Sequence, residues 1–126
     1  MARVLVVEDN VQIRELIGLY VKQAGHAVAM AADGPEALAQ VDERGVPDIA
    51  VMDVVMPGMS GLELLVQLRE RPGLAELPAI FLSSRVRPED IALGTDLGAS
   101  YLTKPFIGSA LIATIDKLLP TKADQW

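Results

Sequence analysis

The chain has 126 residues, 51% hydrophobic and 22% charged, with a formal net charge of −6 and no cysteine. That suffices for one domain with a real core and leaves little room for a second. Disulfides, thiolate catalysis and Cys-based zinc sites are excluded, and the negative balance without any basic run argues against direct nucleic-acid binding.

Strand and helix patterns alternate five times. Val4-Leu5-Val6-Val7 reads as a buried first strand that stops at Glu8-Asp9-Asn10. A helix over about 11–24 follows, with Ile13, Leu16, Ile17, Tyr20, Val21 and Ala24 as its apolar positions and Gly25 just past its end. Residues 27–31 are a second short strand. Asp33-Gly34-Pro35-Glu36 then predicts a helix start, with Ala37, Leu38 and Val41 facing inward and Gly45-Val46-Pro47 as the stop. Asp48-Ile49-Ala50-Val51-Met52-Asp53 reads as a buried parallel strand bracketed by two acids. Ser60, with Glu63 three residues on, predicts a capped helix to about Arg71 that uses Leu62, Leu65, Val66 and Leu68 or Arg69.

Pro72-Gly73 breaks that helix, and residues 78–82 form a fourth strand ending at Ser83-Ser84. Pro88-Glu89-Asp90 predicts a fourth helix to about Leu97. Gly94 inside it costs about 1 kcal/mol relative to Ala, so this helix is expected to be weak. Tyr101-Leu102-Thr103 is the fifth strand, ended by Lys104-Pro105, and a last helix over about 107–119 buries Leu111, Ile112, Ile115 and Leu118. Residues 1–120 read as the domain and 121–126 as a polar tail or linker stub. The N-terminus turns acidic too soon for a signal peptide, and no apolar run approaches the roughly 18 residues of a membrane span. The expected location is cytoplasmic.

This alternation implies an α/β fold, a doubly wound five-stranded parallel sheet with helices on both faces. Its strand C-termini share one edge, where open α/β sheets place their ligands. That edge receives Glu8, Asp9, Asp53, Ser83, Ser84 and Lys104. Clustered carboxylates repel one another, and Mg²⁺ with retained waters relieves this. Lys is a point charge suited to a phosphoryl oxygen, a Ser hydroxyl can donate to another, and an Asp carboxylate can act as nucleophile. The set supports Mg²⁺-assisted phosphoryl transfer onto Asp53.

Four pieces in order carry a family resemblance: Val4 to Asp9, Asp53 to Gly61, Leu82-Ser83-Ser84, and Tyr101 to Phe106. Over about residues 3–119 the chain resembles the receiver domain of two-component response regulators, in its single-domain, chemotaxis-regulator-like form. The resemblance implies a flavodoxin-like (βα)5 fold with strand order 2-1-3-4-5. It implies that Asp53 is the phosphoacceptor, that Asp9 binds Mg²⁺ directly and Glu8 through water, and that the Val55 carbonyl completes the metal shell with Asp53. Ser83 and Lys104 would each meet a phosphoryl oxygen, Tyr101 would move inward with Ser83 on switching, and the Lys104-Pro105 bond would be cis. Val55 and Arg85 match the rim positions that tune phosphoryl lifetime; an apolar Val55 predicts a long-lived adduct. One departure is the single residue Ser100 between Ala99 and Tyr101, which predicts a shortened loop before the fifth strand.

The implied donor is a histidine kinase or histidine phosphotransfer protein, docking on Val11, Gln12, Glu15 and Leu19 of the first helix. The implied output is a surface of the fourth helix, fifth strand and last helix that controls a downstream protein or output domain. No nucleic-acid or membrane contact is expected, and the chain would be a monomer or a phosphorylation-dependent dimer. It would catalyse only its own phosphorylation and dephosphorylation. The alternative is an aspartate-dependent phosphatase, but such enzymes place a second Asp where Val55 stands. Gly58 and Gly61 form no phosphate-cradling pattern. His26, the only histidine, reads as ordinary surface, and the methionines as core filler.

Overall fold

The computed structural model describes residues 2–83, 92 and 96–119. The strands are β1 (Arg3–Val7), β2 (Ala27–Ala31), β3 (Ile49–Asp53), β4 (Ala79–Ser83) and β5 (Ser100–Thr103). They form one sheet of order β2-β1-β3-β4-β5, parallel at every pairing. The helices are α1 (Val11–Gln23), α2 (Gly34–Arg44), α3 (Gly61–Arg69) and a C-terminal helix (Gly108–Leu118). The fourth predicted helix and the polar tail lie largely or wholly outside the described residues.

Strand alternation splits the core into two layers. Leu5, Val7, Ala50, Met52 and Phe81 pack with Ala37 and Val41 of α2 and Leu62, Leu64, Leu65 and Leu68 of α3. Val4, Val6, Val51, Ile80 and Leu82 pack with Ile17 and Val21 of α1 and Leu111 and Ile115 of the C-terminal helix. β3 and β4 are buried along their whole length, as central parallel strands covered on both faces must be. β2 and β5 are the edges and are only half-covered.

Local signals fix the helix starts. The Asn10, Asp33 and Ser60 side chains accept from the N–H groups of Ile13 (3.0 Å), Glu36 (2.9 Å) and Glu63 (3.1 Å). Gly25 follows α1 with φ of 93°, the left-handed conformation that favours glycine. The first cap is thus Asn10, one residue beyond Asp9.

Some inner-face assignments change. In α3 Leu64 is fully buried and Val66 is exposed, because the helix starts at Gly61 and its 3.6-residue turn carries position 66 outward. α3 also stops at Arg69, two residues before the predicted end. In α1 the buried residues are Ile17, Gly18 and Val21, while Leu16 and Ala24 are exposed. Gly18 lies against the Met30 sulfur of β2, so a side chain there would have to displace the Met30 side chain. Ile112 and Leu118 are half-buried. Met52 and Met56 are core residues, whereas Met30 and Met59 are half-buried. Ser100 is the first residue of β5, opposite Ile80.

Candidate functional site

Parallel topology delivers four chain segments to one edge. β1 runs into Glu8, β3 ends on Asp53, β4 ends on Ser83, and β5 runs into Lys104. The Lys104 N–H donates to the Ser83 carbonyl at 2.8 Å, extending the β4–β5 pairing by one residue. The Lys104-Pro105 peptide is cis. The Lys104 ammonium donates to Glu8 Oε1 at 2.5 Å and to Asp53 Oδ2 at 2.9 Å.

The carboxylates are held on their other sides as well. Asp53 Oδ1 accepts the Val55 N–H at 3.2 Å, and Glu8 Oε2 accepts the Asn10 N–H at 3.2 Å. Glu8 is 1% exposed, Asp53 8% and Ser83 3%, so the chemistry-bearing groups sit at the bottom of the opening rather than on its rim. Asp9 is exposed, yet Glu8, Asp9 and Asp53 each bring a carboxylate oxygen within 4.8 Å of the others. Ile13, Leu16, Val55, Pro105 and Phe106 form the apolar part of the lining.

Three carboxylates therefore face one ammonium. Burial pushes the Glu8 carboxyl above its ordinary value, and the Lys104 hydrogen bond opposes this without cancelling it. Burial alone would lower Lys104, but hydrogen bonds to Glu8 and Asp53 outweigh that and hold its ammonium above the ordinary lysine range. The two shifts look contradictory for one ion pair. They agree once the stoichiometry is counted: Lys104 has two carboxylate partners, while Glu8 shares its cation with Asp53. An all-oxygen acidic cluster with unbalanced negative charge fits a hard divalent cation such as Mg²⁺.

Sequence reasoning missed several neighbours of this site. Arg14, on the first turns of α1, donates to the Glu8 carbonyl at 2.8 Å and ties the acidic loop to the helix. Leu16, predicted to face the core, lines the opening instead. Tyr101 is half-buried, with its ring 5.4 Å from that of Phe81 at 40°. Val55 is 67% exposed on the rim. Ser84 and Arg85 lie outside the described residues. Val11 and Leu19 are exposed on α1, as are Gln12 and Glu15. His26 is not ordinary surface: its side chain is 11% exposed, accepts the Ala2 N–H on Nδ1 at 3.1 Å, and meets Asp116 at 3.3 Å.

The profile of the response regulator receiver domain matches residues 4–116. The chain belongs to this family. It is 36% identical over 126 residues to sensory transduction protein RegX3 of Mycolicibacterium smegmatis, covering 99% of this chain and 54% of that protein. It is 34% identical over 118 residues to the phosphate regulon transcriptional regulatory protein PhoB of Escherichia coli, covering 93% of this chain and 51% of that protein. The chain thus spans about half the length of these relatives. Its fold superposes on chemotaxis protein CheY4 of Vibrio cholerae with a TM-score of 0.86 at 36% identity, covering 94% of this chain and 99% of that one. As a receiver domain, it is a component of two-component signalling, and no helix among the described residues is long and apolar enough to cross a membrane.

Proposed function

We propose that this receiver accepts a phosphoryl group on Asp53 from the phosphohistidine of a sensor kinase or histidine phosphotransfer protein. The supporting observation is the contact of one Lys104 ammonium with both Asp53 and Glu8 at a sheet edge that also carries Asp9 and Ser83. An Asp53 oxygen attacks phosphorus, the P–N bond breaks, and its electron pair returns to the imidazole. Little covalent work is left to the protein, so its task is to position groups and neutralise charge. Lys104 and the Ser83 hydroxyl meet phosphoryl oxygens; the Val55 N–H, which donates to Asp53 Oδ1, orients Asp53.

Asp9, Asp53 and the Val55 carbonyl would hold Mg²⁺, with Glu8 acting through water. When bound, Mg²⁺ neutralises charge on the phosphoryl oxygens. The apolar, exposed Val55 presents no group to orient an attacking water, which favours an adduct lasting minutes or longer. The exposed α1 residues Val11, Gln12, Glu15 and Leu19 form the docking face for the donor. The added charge draws Ser83, Lys104 and Tyr101 inward and alters the surface of β5 and its flanking helices, through which a partner or output domain is controlled. The setting is cytoplasmic, and the chain is a monomer or a phosphorylation-dependent dimer.

The test is intact mass after incubation with Mg²⁺ and a small acyl phosphate. One phosphoryl adduct on the wild type and none on Asp53→Asn is expected. An equal adduct on Asp53→Asn contradicts the assignment, and turnover of a phosphoester without adduct points to a phosphatase instead.

A further inference from the structure

Resting on that reading, we propose that Phe81 is the positioning residue that couples the Asp53 turn to Tyr101. The coupling has to cross the sheet. In β3, Val51 packs with α1 and the C-terminal helix and Met52 with α2 and α3. By alternation Asp53 turns its carboxylate to the Val51 side, where Lys104 meets it. Tyr101 packs with the opposite layer. Asp53 and Tyr101 therefore face opposite sides of the sheet.

Phe81 fills the gap. It is fully buried and pairs with Met52 on one side and Tyr101 on the other. Its ring lies 5.4 Å from the Tyr101 ring. The same ring, through Cε1, lies 3.2 Å from the point where a Cβ on Gly61 would stand, and that point is 2.2 Å from the Asp53 carbonyl oxygen. Gly61 is further tied to the turn by its N–H bond to the Val54 carbonyl at 2.9 Å. Phe81 is thus wedged between the backbone that carries Asp53 and the aromatic of β5. Interiors at native packing density transmit displacement, so a shift of the turn is carried to the Tyr101 ring through this contact.

The chain has two tyrosines, Tyr20 and Tyr101, so fluorotyrosine-labelled protein gives two ¹⁹F resonances, with Tyr20 as internal control. Wild type, Phe81→Leu and Phe81→Met are treated with Mg²⁺ and a small acyl phosphate, and the adduct is quantified by mass. In the wild type the Tyr101 resonance should shift on adduct formation. In Phe81→Leu the adduct should form to the same extent while the Tyr101 shift falls below half. Phe81→Met keeps most of the volume without the ring; the same loss is expected, and it serves if the Leu variant does not fold. A full Tyr101 shift in either variant at full adduct overturns the proposal, and so does a wild-type adduct with no Tyr101 shift. Absence of an adduct on the wild type is seen by mass alone; it overturns the phosphoacceptor reading and this proposal with it.

Discussion

On the acid side of the site, Glu8 and Asp53 follow or end strands that are buried almost throughout. The helices that begin beside them, α1 and α3, are capped by the Asn10 and Ser60 side chains. On the β5 side, Ser100, Tyr101 and Leu102 are half-buried and Thr103 is exposed. The N-cap position of the C-terminal helix is Ile107, 70% exposed and with no side-chain cap bond. Sparse burial and uncapped ends lower the free energy of local opening. Asp53, the proposed acceptor, therefore sits with Ser83 on the part of the fold that resists motion, and Tyr101 sits on the part that yields. Lys104 follows β5 in sequence and bonds to Glu8 and Asp53 on the acid side, so it links the two.

That contrast can be broken most severely from the acid side. Leu64→Ala removes a fully buried side chain from the layer that seats α3 against β3, and should cost about 2–5 kcal/mol in urea unfolding. Val66→Ala, on the exposed face of the same helix, should stay within about 0.5 kcal/mol. Equal effects would mean that α3 is rotated from its described position. Gly61→Ala puts a methyl group 2.2 Å from the Asp53 carbonyl oxygen, a backbone atom that cannot rotate away. About 1–3 kcal/mol of stability should be lost, together with at least a tenfold drop in adduct formation, because the turn that aims Asp53 must move.

Next in size is the acidic cluster itself. With metal chelated, the raised Glu8 carboxyl binds its proton more tightly folded than unfolded. Its contribution to stability is fully present below the ordinary value of 4.5 and is lost as pH rises through the raised folded value. Glu8→Gln should flatten the stability profile in that window and leave Lys104 paired with Asp53. An unchanged profile would mean that burial of Glu8 has no energetic consequence. At a hundredfold excess over Kd, Mg²⁺ should stabilise the wild type by about 2.7 kcal/mol and Asp9→Asn by much less. The smallest effect is on the yielding side. Ile107→Asp supplies the missing cap and should add about 0.5–1 kcal/mol; a loss of stability would show that Ile107 packs better than its exposure suggests.

Among the described residues, the order of strands and helices was legible because turn residues stop the apolar runs within a residue or two of where the structure stops them. The convergence of Glu8, Asp9, Asp53, Ser83 and Lys104 followed from parallel topology alone. Less legible were contacts that depend on helix phase and long-range packing. Val66 and Leu64 differ by half a turn, and both are apolar, so composition could not choose between them. Arg14 reaches the Glu8 carbonyl, and His26 bridges Ala2 and Asp116, through pairings of segments with no sequence signature. Nothing in the sequence set Phe81 apart within the fourth strand, because its contacts with Gly61 and Tyr101 join different elements.

The most direct test of the contrast is amide exchange with Mg²⁺, with and without a beryllofluoride phosphoryl mimic. The account predicts that β1 and β3 keep their high protection in both states, while protection across residues 97–106 changes by more than tenfold. Protection of residues 97–106 that is identical in the two states, with mimic bound, would contradict it.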